Sequence, residues 1–530
     1  MTAPLPRSAQ GRAKTLARLV PPMPGDGWWG WAGPIAVTVL AGFLRFWDLA
    51  KPKSFVFDET YYAKDAWALL QYGHEQDFIK KADEKILDGN LDVFATDPSY
   101  VVHPPLGKWV IASGEQLFGL TPFGWRFAVA VLGTLSVLLI ARIVRRMSRS
   151  TLIGTIAGFL LAIDGLHLVM SRTALLDLPL SFFLLAAFGA FVLDRDMGRS
   201  RAAQKLDDFH GAGTGPSLGF RPWRIVGGVL LGCALGTKWN AVYFIVAFGL
   251  LTVFWDVSAR KVAGARSPWL GMLRRDAVPA FASVVPVALV TYLVTWSGWF
   301  ASSTGYHRNW AEENPPGSLR FLPDWLAGVV PDPIRSLWHY HVEAFSFHSD
   351  LTSSHPYESH PAGWAVLARP VSFFYEEYGN GEMGCEVDRC AREVIALGNP
   401  VIWWGAIVGL LMMVWLLVSR RDWRAGAILA AVAAGWLPWF WYADHNGRTM
   451  FYFYAVAFVP FLVMAVSLTL GRILGPSDAP VFRRSWGATV VGAYVLLAVL
   501  AAAALYPLWV GDVLPYDDWW NRLLRIQSWV

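Results

Sequence analysis

Apolar residues in this chain gather into long unbroken runs separated by short polar turns, rather than alternating or marking one face of a helix. Such runs lie near 31–49, 123–141, 151–170, 175–193, 224–241, 242–256, 277–300, 400–418, 424–441, 449–470 and 486–509. Each approaches the roughly 20 residues that carry a helix across a bilayer, which predicts about eleven transmembrane helices. The fold class is an all-α polytopic membrane protein. The first run is too long and too far from the start for a typical signal peptide and reads as an uncleaved anchor. Two further helices are expected outside the spans: Asp58 to about Tyr72, and a half-buried amphipathic helix over 105–119.

Composition agrees with the pattern. Of 530 residues, 55% are hydrophobic and only 16% are charged, against roughly 25% charged in soluble domains. The formal net charge of +5 is explained by arginines flanking membrane spans and calls for no nucleic-acid partner.

Lys and Arg placement orients the spans. Segment 1–30 carries Arg7, Arg12, Lys14 and Arg18 and reads as a cytoplasmic tail. The same side then collects Arg142, Arg145, Arg146 and Arg149, the linker 194–222, Arg274 and Arg275, Arg420 and Arg421, and Arg483 and Arg484. The opposite, extracytoplasmic side receives the first loop (50–122), the turns at 171–173 and 237–240, and the large loop 301–398. It also receives the turn 444–448 and the tail 510–530. The layout is therefore a transmembrane module over 31–300, the large loop, C-terminal helices over 399–509, and the tail. No internal repeat is visible. Cys385 and Cys390 fall in the outer loop, where a disulfide-stapled turn is expected; Cys233 lies in a span as a small core residue.

Polar residues able to do chemistry collect on the outer side. Asp58 and Glu59 open the first-loop helix, and Asp58, Tyr62 and Asp65 share a face of it. Asp58 is also a favoured helix cap, and the two roles can coexist. His103-Pro104-Pro105-Leu106-Gly107-Lys108 reads as a chain turning into a helix, with Lys108 either meeting a lipid phosphate or snorkelling. Arg126, Arg172, Lys238 and Arg448 come out at similar depth, and an arginine in a span is costly unless paired or functional. Four cations at one interface suit an anionic head group; the competing reading pairs them structurally, with Arg172 and Asp177 as the obvious couple. The loop 301–398 is rich in His, Trp, Tyr and Pro, suited to aromatic platforms, and its His spacings match no zinc template. No metal site is assigned. With no Gly-rich phosphate loop and no nucleophile elbow, a lipid-linked donor is favoured over a soluble nucleotide donor.

The ordered set Asp58-Glu59 with Tyr61-Tyr62, His103 to Lys108, Trp125-Arg126-Phe127, Arg172 to Asp177 and Lys238-Trp239 resembles the protein O-mannosyltransferases. So do the stretch from His348 to Pro370, and Arg448 followed by Phe451 to Tyr454 and Pro460-Phe461. The resemblance covers nearly the whole chain. It implies a GT-C glycosyltransferase fold, a polyprenyl-phosphate-mannose donor, and inverting transfer to Ser/Thr hydroxyls of secreted polypeptides emerging from the Sec translocon. It implies Asp58 as general base, Glu59, Tyr62 and His103 as acceptor or support residues, and Lys108, Arg126, Arg172, Asp177, Lys238 and Arg448 around the donor phosphate. The β-trefoil insertion of eukaryotic members is missing, which points to a bacterial member in the plasma membrane. No cofactor is implied, and dependence on a divalent cation stays open. Two other functions compete: transfer of another sugar to a lipid or cell-wall glycan, and lipid or solute transport without catalysis. Gathering of polar residues on one face, rather than along a path through the spans, counts against transport.

Overall fold

A computed structural model describes residues 9–207, 213–314, 328–476 and 478–529. Arg7 and segment 315–327 of the large loop lie outside the described residues. Eight helices among them are long and apolar enough to cross a membrane: Trp28–Phe46, Pro122–Ser148, Asp177–Gln204, Ala241–Ala263, Ala277–Thr295, Pro400–Arg420, Trp423–Asn446 and Val481–Val510. The other three runs become shorter apolar helices, Thr151–Ala162, Pro222–Leu235 and Val459–Leu474. At 1.5 Å per residue these reach only about 18–24 Å, short of the roughly 30 Å hydrocarbon core. Each is continued at one end by irregular or one-turn structure: Gly165–Met170 after the first, the turn at 236–240 after the second, and the 3-10 helix Tyr452–Ala457 before the third. Those irregular ends carry Arg172, Lys238 and Tyr454 to the same end of the bundle as the two large loops.

Helix starts follow local chemistry. Thr121 accepts from the Gly124 amide ahead of Pro122, Asp164 from His167, and Asn399 from Val401 ahead of Pro400, each satisfying an amide the first turn leaves free. Asp177–Gln204 is the most enclosed span and Val481–Val510 the most peripheral, with 72% and 17% of their apolar windows buried. At the end of the bundle away from the loops, Arg221 and Arg224 both bridge Asp194 and Asp256, while Arg260 pairs with Asp276 at 2.8 Å. The arginine clusters of the sequence are thus partly a buried ion-pair network that ties four helices together.

The loop regions are more structured than the sequence pattern indicates. Helix Asp332–Asp350 occupies the centre of the large loop, burying Leu337, Tyr340 and Ala344 at helical spacing. Two small sheets depart from the all-α expectation. Gln76–Phe78 pairs with Phe94–Pro98, and Val371–Gly379 pairs with Arg389–Ala396, which in turn pairs with Val513–Pro515 of the tail. A disulfide ties Cys385, in the turn of the second hairpin, to Cys390 at the start of its second strand. Its first strand, Val-Ser-Phe-Phe-Tyr, has the β-branched and aromatic composition that a pleated surface favours.

Candidate active site

Asp58 precedes helix Glu59–Tyr72, which is closed by Gly73 at φ +77°, a left-handed position that favours glycine. Its side chain makes no capping hydrogen bond, so it is not held against the helix it precedes. Phe57 sits at φ +52°, a conformation that costs a bulky residue about 1–3 kcal/mol. Stacking on Phe373 at 4.7 Å, with Phe451 and Phe453 edge-on, holds it there.

The adjacent acid is built differently. Glu59 is fully buried and accepts from the amides of Val56 and Ala174 and from Arg126 Nε and Nη2 at 2.8 and 2.7 Å. Arg126 spends its remaining donors on the carbonyls of Leu49, Pro52 and Ser54. This bidentate pair clamps the start of the first loop onto helix Pro122–Ser148 and fixes where residue 58 falls.

Asp58 opens into a cavity of about 630 Å³ at the loop-bearing end of the bundle, within the range of small-ligand sites. Tyr62, His103, Asp177, Lys238 and Arg448 share its wall. Lys238 Nζ donates to Asp177 Oδ2 at 2.7 Å and lies 5.4 Å from the centroid of the Tyr454 ring. Arg448 lies over Trp439 at 5.6 Å, and its buried Nε has no hydrogen-bond partner. Burial pushes the Asp58 carboxyl up to about 6; the Lys238 charge opposes this and Asp177 adds to it. His103 and His348 stack at 5.0 Å. Burial and the charges of Lys238 and Arg448 drive both imidazoles down, His103 well below its ordinary value and His348 to about 4. They are neutral hydrogen-bonding groups, with His348 Nε2 3.0 Å from the Val102 carbonyl. The cavity therefore presents the uncapped Asp58 carboxylate, a second carboxylate paired with Lys238, two cations, neutral imidazoles and an aromatic lining.

Only part of the expected cation set meets here, because three of the cations are consumed by internal partners. Lys108 is buried against Glu75 and also donates to the His103 carbonyl at 3.2 Å. Arg126 is held by Glu59. Arg172 does not couple to Asp177; it donates to the carbonyls of Arg45 and Trp47 at 2.7 Å, with Leu44 and Asp48 slightly farther. That satisfies the carbonyls which the end of helix Trp28–Phe46 leaves free. Asp177 pairs with Lys238 instead.

Other cavity residues came from segments that read only as apolar span. Tyr243 and Tyr442 approach through their hydroxyls at 3.0 Å, and Trp439 forms another wall; the one signal in sequence was aromatic residues bearing polar groups near helix ends. The single Asp-x-Asp spacing, Asp194-Arg195-Asp196, lies at the far end of the bundle with its carboxylates engaged by Arg221, Arg224 and Arg146.

A bundle of this architecture, with its polar cavity under the looped end, defines the class of GT-C membrane glycosyltransferases. It superposes on a chain of the S. cerevisiae protein O-mannosyltransferase complex bound to the sugar donor, with a TM-score of 0.71, covering 100% of this chain and 95% of that one. At 16% identity the likeness is one of fold. Sequence narrows the class. Residues 35–263 match the dolichyl-phosphate-mannose-protein mannosyltransferase family and residues 333–470 match the C-terminal four-span region of protein O-mannosyltransferases. A polyprenol-phosphate-mannose–protein mannosyltransferase of Mycobacterium tuberculosis is 41% identical over 94% of this chain and 92% of its own length. One of Corynebacterium glutamicum is 35% identical over the whole of both chains. The chain belongs to the protein O-mannosyltransferase family.

Proposed function

We propose that this protein transfers mannose from polyprenyl-phosphate-mannose to Ser or Thr hydroxyls of proteins, in the cavity beside Asp58, at the outer face of the cell membrane. The arrangement that carries the reading is an uncapped carboxylate facing the Lys238–Asp177 pair and an arginine with a free, buried Nε, all in one aromatic-lined cavity of about 630 Å³.

Asp58 takes the proton of the acceptor hydroxyl as its oxygen attacks the anomeric carbon, a general-base role worth roughly 10²–10⁴-fold in rate. The bond from that carbon to the phosphate oxygen breaks, with inversion, and the phosphate leaves with the electron pair. Arg448 and Lys238 stabilise the growing phosphate charge, and the phosphate needs no strong acid to depart. Asp177 holds Lys238 in place and tempers its charge. Tyr62 and the neutral His103 line the acceptor side. Glu59 and Arg126 act through Asp58 by fixing its backbone. The N-terminus is cytoplasmic on this reading, and acceptors reach the cavity as extended segments emerging from the translocon.

The test supplies labelled polyprenyl-phosphate-mannose to membranes holding the protein, with a Ser/Thr-rich peptide and lipid acceptors in competition. The proposal expects mannose on the peptide, released by β-elimination. Label confined to lipid would instead identify a transferase acting on glycolipids.

A further inference from the structure

The large loop holds a second cluster outside the cavity. His307, His339 and Glu343 place their ligating atoms within 4.8 Å of one another. His339 and Glu343 stand one turn apart on helix Asp332–Asp350 and so share a face. His307 arrives from the preceding segment at φ +53°. Trp310 lies flat on the His339 ring at 4.0 Å between centroids and fixes its plane. Glu343 Oε1 accepts from the Tyr306 hydroxyl at 3.0 Å. Its other oxygen lies 3.0 Å from His307 Nε2, yet this buried Oε2 accepts no hydrogen bond.

An imidazolium–carboxylate pair would align an N–H with that oxygen. A 3.0 Å approach of the two atoms without hydrogen-bond geometry is instead a spacing that a shared cation produces. Zn–N and Zn–O bonds of about 2.0–2.2 Å place neighbouring tetrahedral ligand atoms roughly 3–3.5 Å apart. The second carboxylate oxygen bonded to Tyr306 is the kind of outer contact that orients a metal-binding carboxylate.

We propose that His307, His339 and Glu343 bind one divalent transition-metal ion of the zinc class, leaving a position open to water. Two imidazoles and a carboxylate favour such an ion over Mg²⁺ or Ca²⁺, which take mostly oxygen ligands. The sequence spacing hid this set because its third ligand is remote along the chain. The helix that supplies His339 and Glu343 goes on to place Phe345, Phe347 and His348 in the wall of the active cavity. The ion therefore staples the segment around His307 to the helix that shapes that wall.

The test uses the full chain, purified in detergent with a tag free of histidine and stripped with a chelator. Zn²⁺ is titrated against a chromophoric chelator, and Co²⁺ is added separately to read its visible spectrum. We expect about one ion per chain with the intense d–d bands of low-coordinate Co²⁺. Affinity should fall roughly tenfold or more in His339→Ala and Glu343→Gln and stay unchanged in His360→Ala, whose histidine pairs with Asp444 elsewhere. Zn²⁺ affinity equal in His339→Ala and wild type, or a Co²⁺ spectrum of the hydrated ion, would overturn the proposal. Should the ligand variants fail to fold, the wild-type Co²⁺ spectrum decides alone.

Discussion

A carboxylate titrating near pH 6 is a competent base just above that pH and a useless one below it. With Asp58 raised to about 6, kcat/KM for mannosyl transfer should rise with pH through about 6 and level off above; a profile flat from pH 5 to 8 would remove Asp58 from the proton transfer. The same shift destabilises the fold. The folded state holds a proton that the unfolded chain, with an ordinary value near 3.8, has already lost. The cost therefore grows between about pH 4 and 6 and is fully present above. Asp58→Asn should thus leave thermal stability at pH 7.5 unchanged or raise it, on the order of 1 kcal/mol. In the proposed mechanism Arg448 contacts the donor phosphate. Arg448→Ala removes a charge-assisted contact worth about 1.5–3 kcal/mol and should raise KM for polyprenyl-phosphate-mannose at least roughly tenfold, while Arg448→Lys recovers part of the loss. These residues were visible in sequence as one-sided polar groups. The division of labour among them was not, because a lone charged letter looks the same whether its partner is a ligand, as read for Arg448, or a run of backbone carbonyls, as for Arg172.

The helix Glu59–Tyr72 depends on its buried neighbour pair. Removing one member of a buried ion pair typically costs 3–5 kcal/mol, because the other charge is left uncompensated. Arg126→Leu should accordingly lower the thermal midpoint and membrane yield, in contrast to Asp58→Asn, and adding Glu59→Gln to it should restore part of the loss. An unchanged midpoint in Arg126→Leu would show that the clamp contributes nothing. Element starts were legible where a cap stood before a Pro or an apolar run, as at Thr121-Pro122 and Asn399-Pro400. Helix Asp332–Asp350 was less so: its buried stripe at Leu337, Tyr340 and Ala344 is obscured by histidines and aromatics, which read as loop composition. The strands Val371–Gly379 and Arg389–Ala396 were hidden for another reason, since the sheet they form is completed by Val513–Pro515 from the distant tail.

Across the whole molecule, long apolar runs announced the bundle because nothing else in water hides them. They over-read the length of three helices, at 151–170, 224–241 and 449–470, where regular helix ends early in the first two and starts late in the third. Those irregular ends deliver the Ser171–Asp177 turn, Lys238 and Tyr454 to the cavity end, at the cost of regular spans. The architecture thus carries a rigid bundle below and an irregular, charged, aromatic-lined chamber above, with Asp58 set between them. The most direct test measures initial rates of mannose transfer from labelled polyprenyl-phosphate-mannose to a Ser/Thr peptide by purified wild-type and Asp58→Asn protein, matched for folding by thermal midpoint. The account predicts a loss of roughly 10²-fold or more in the variant with donor binding retained; turnover near wild type would contradict it.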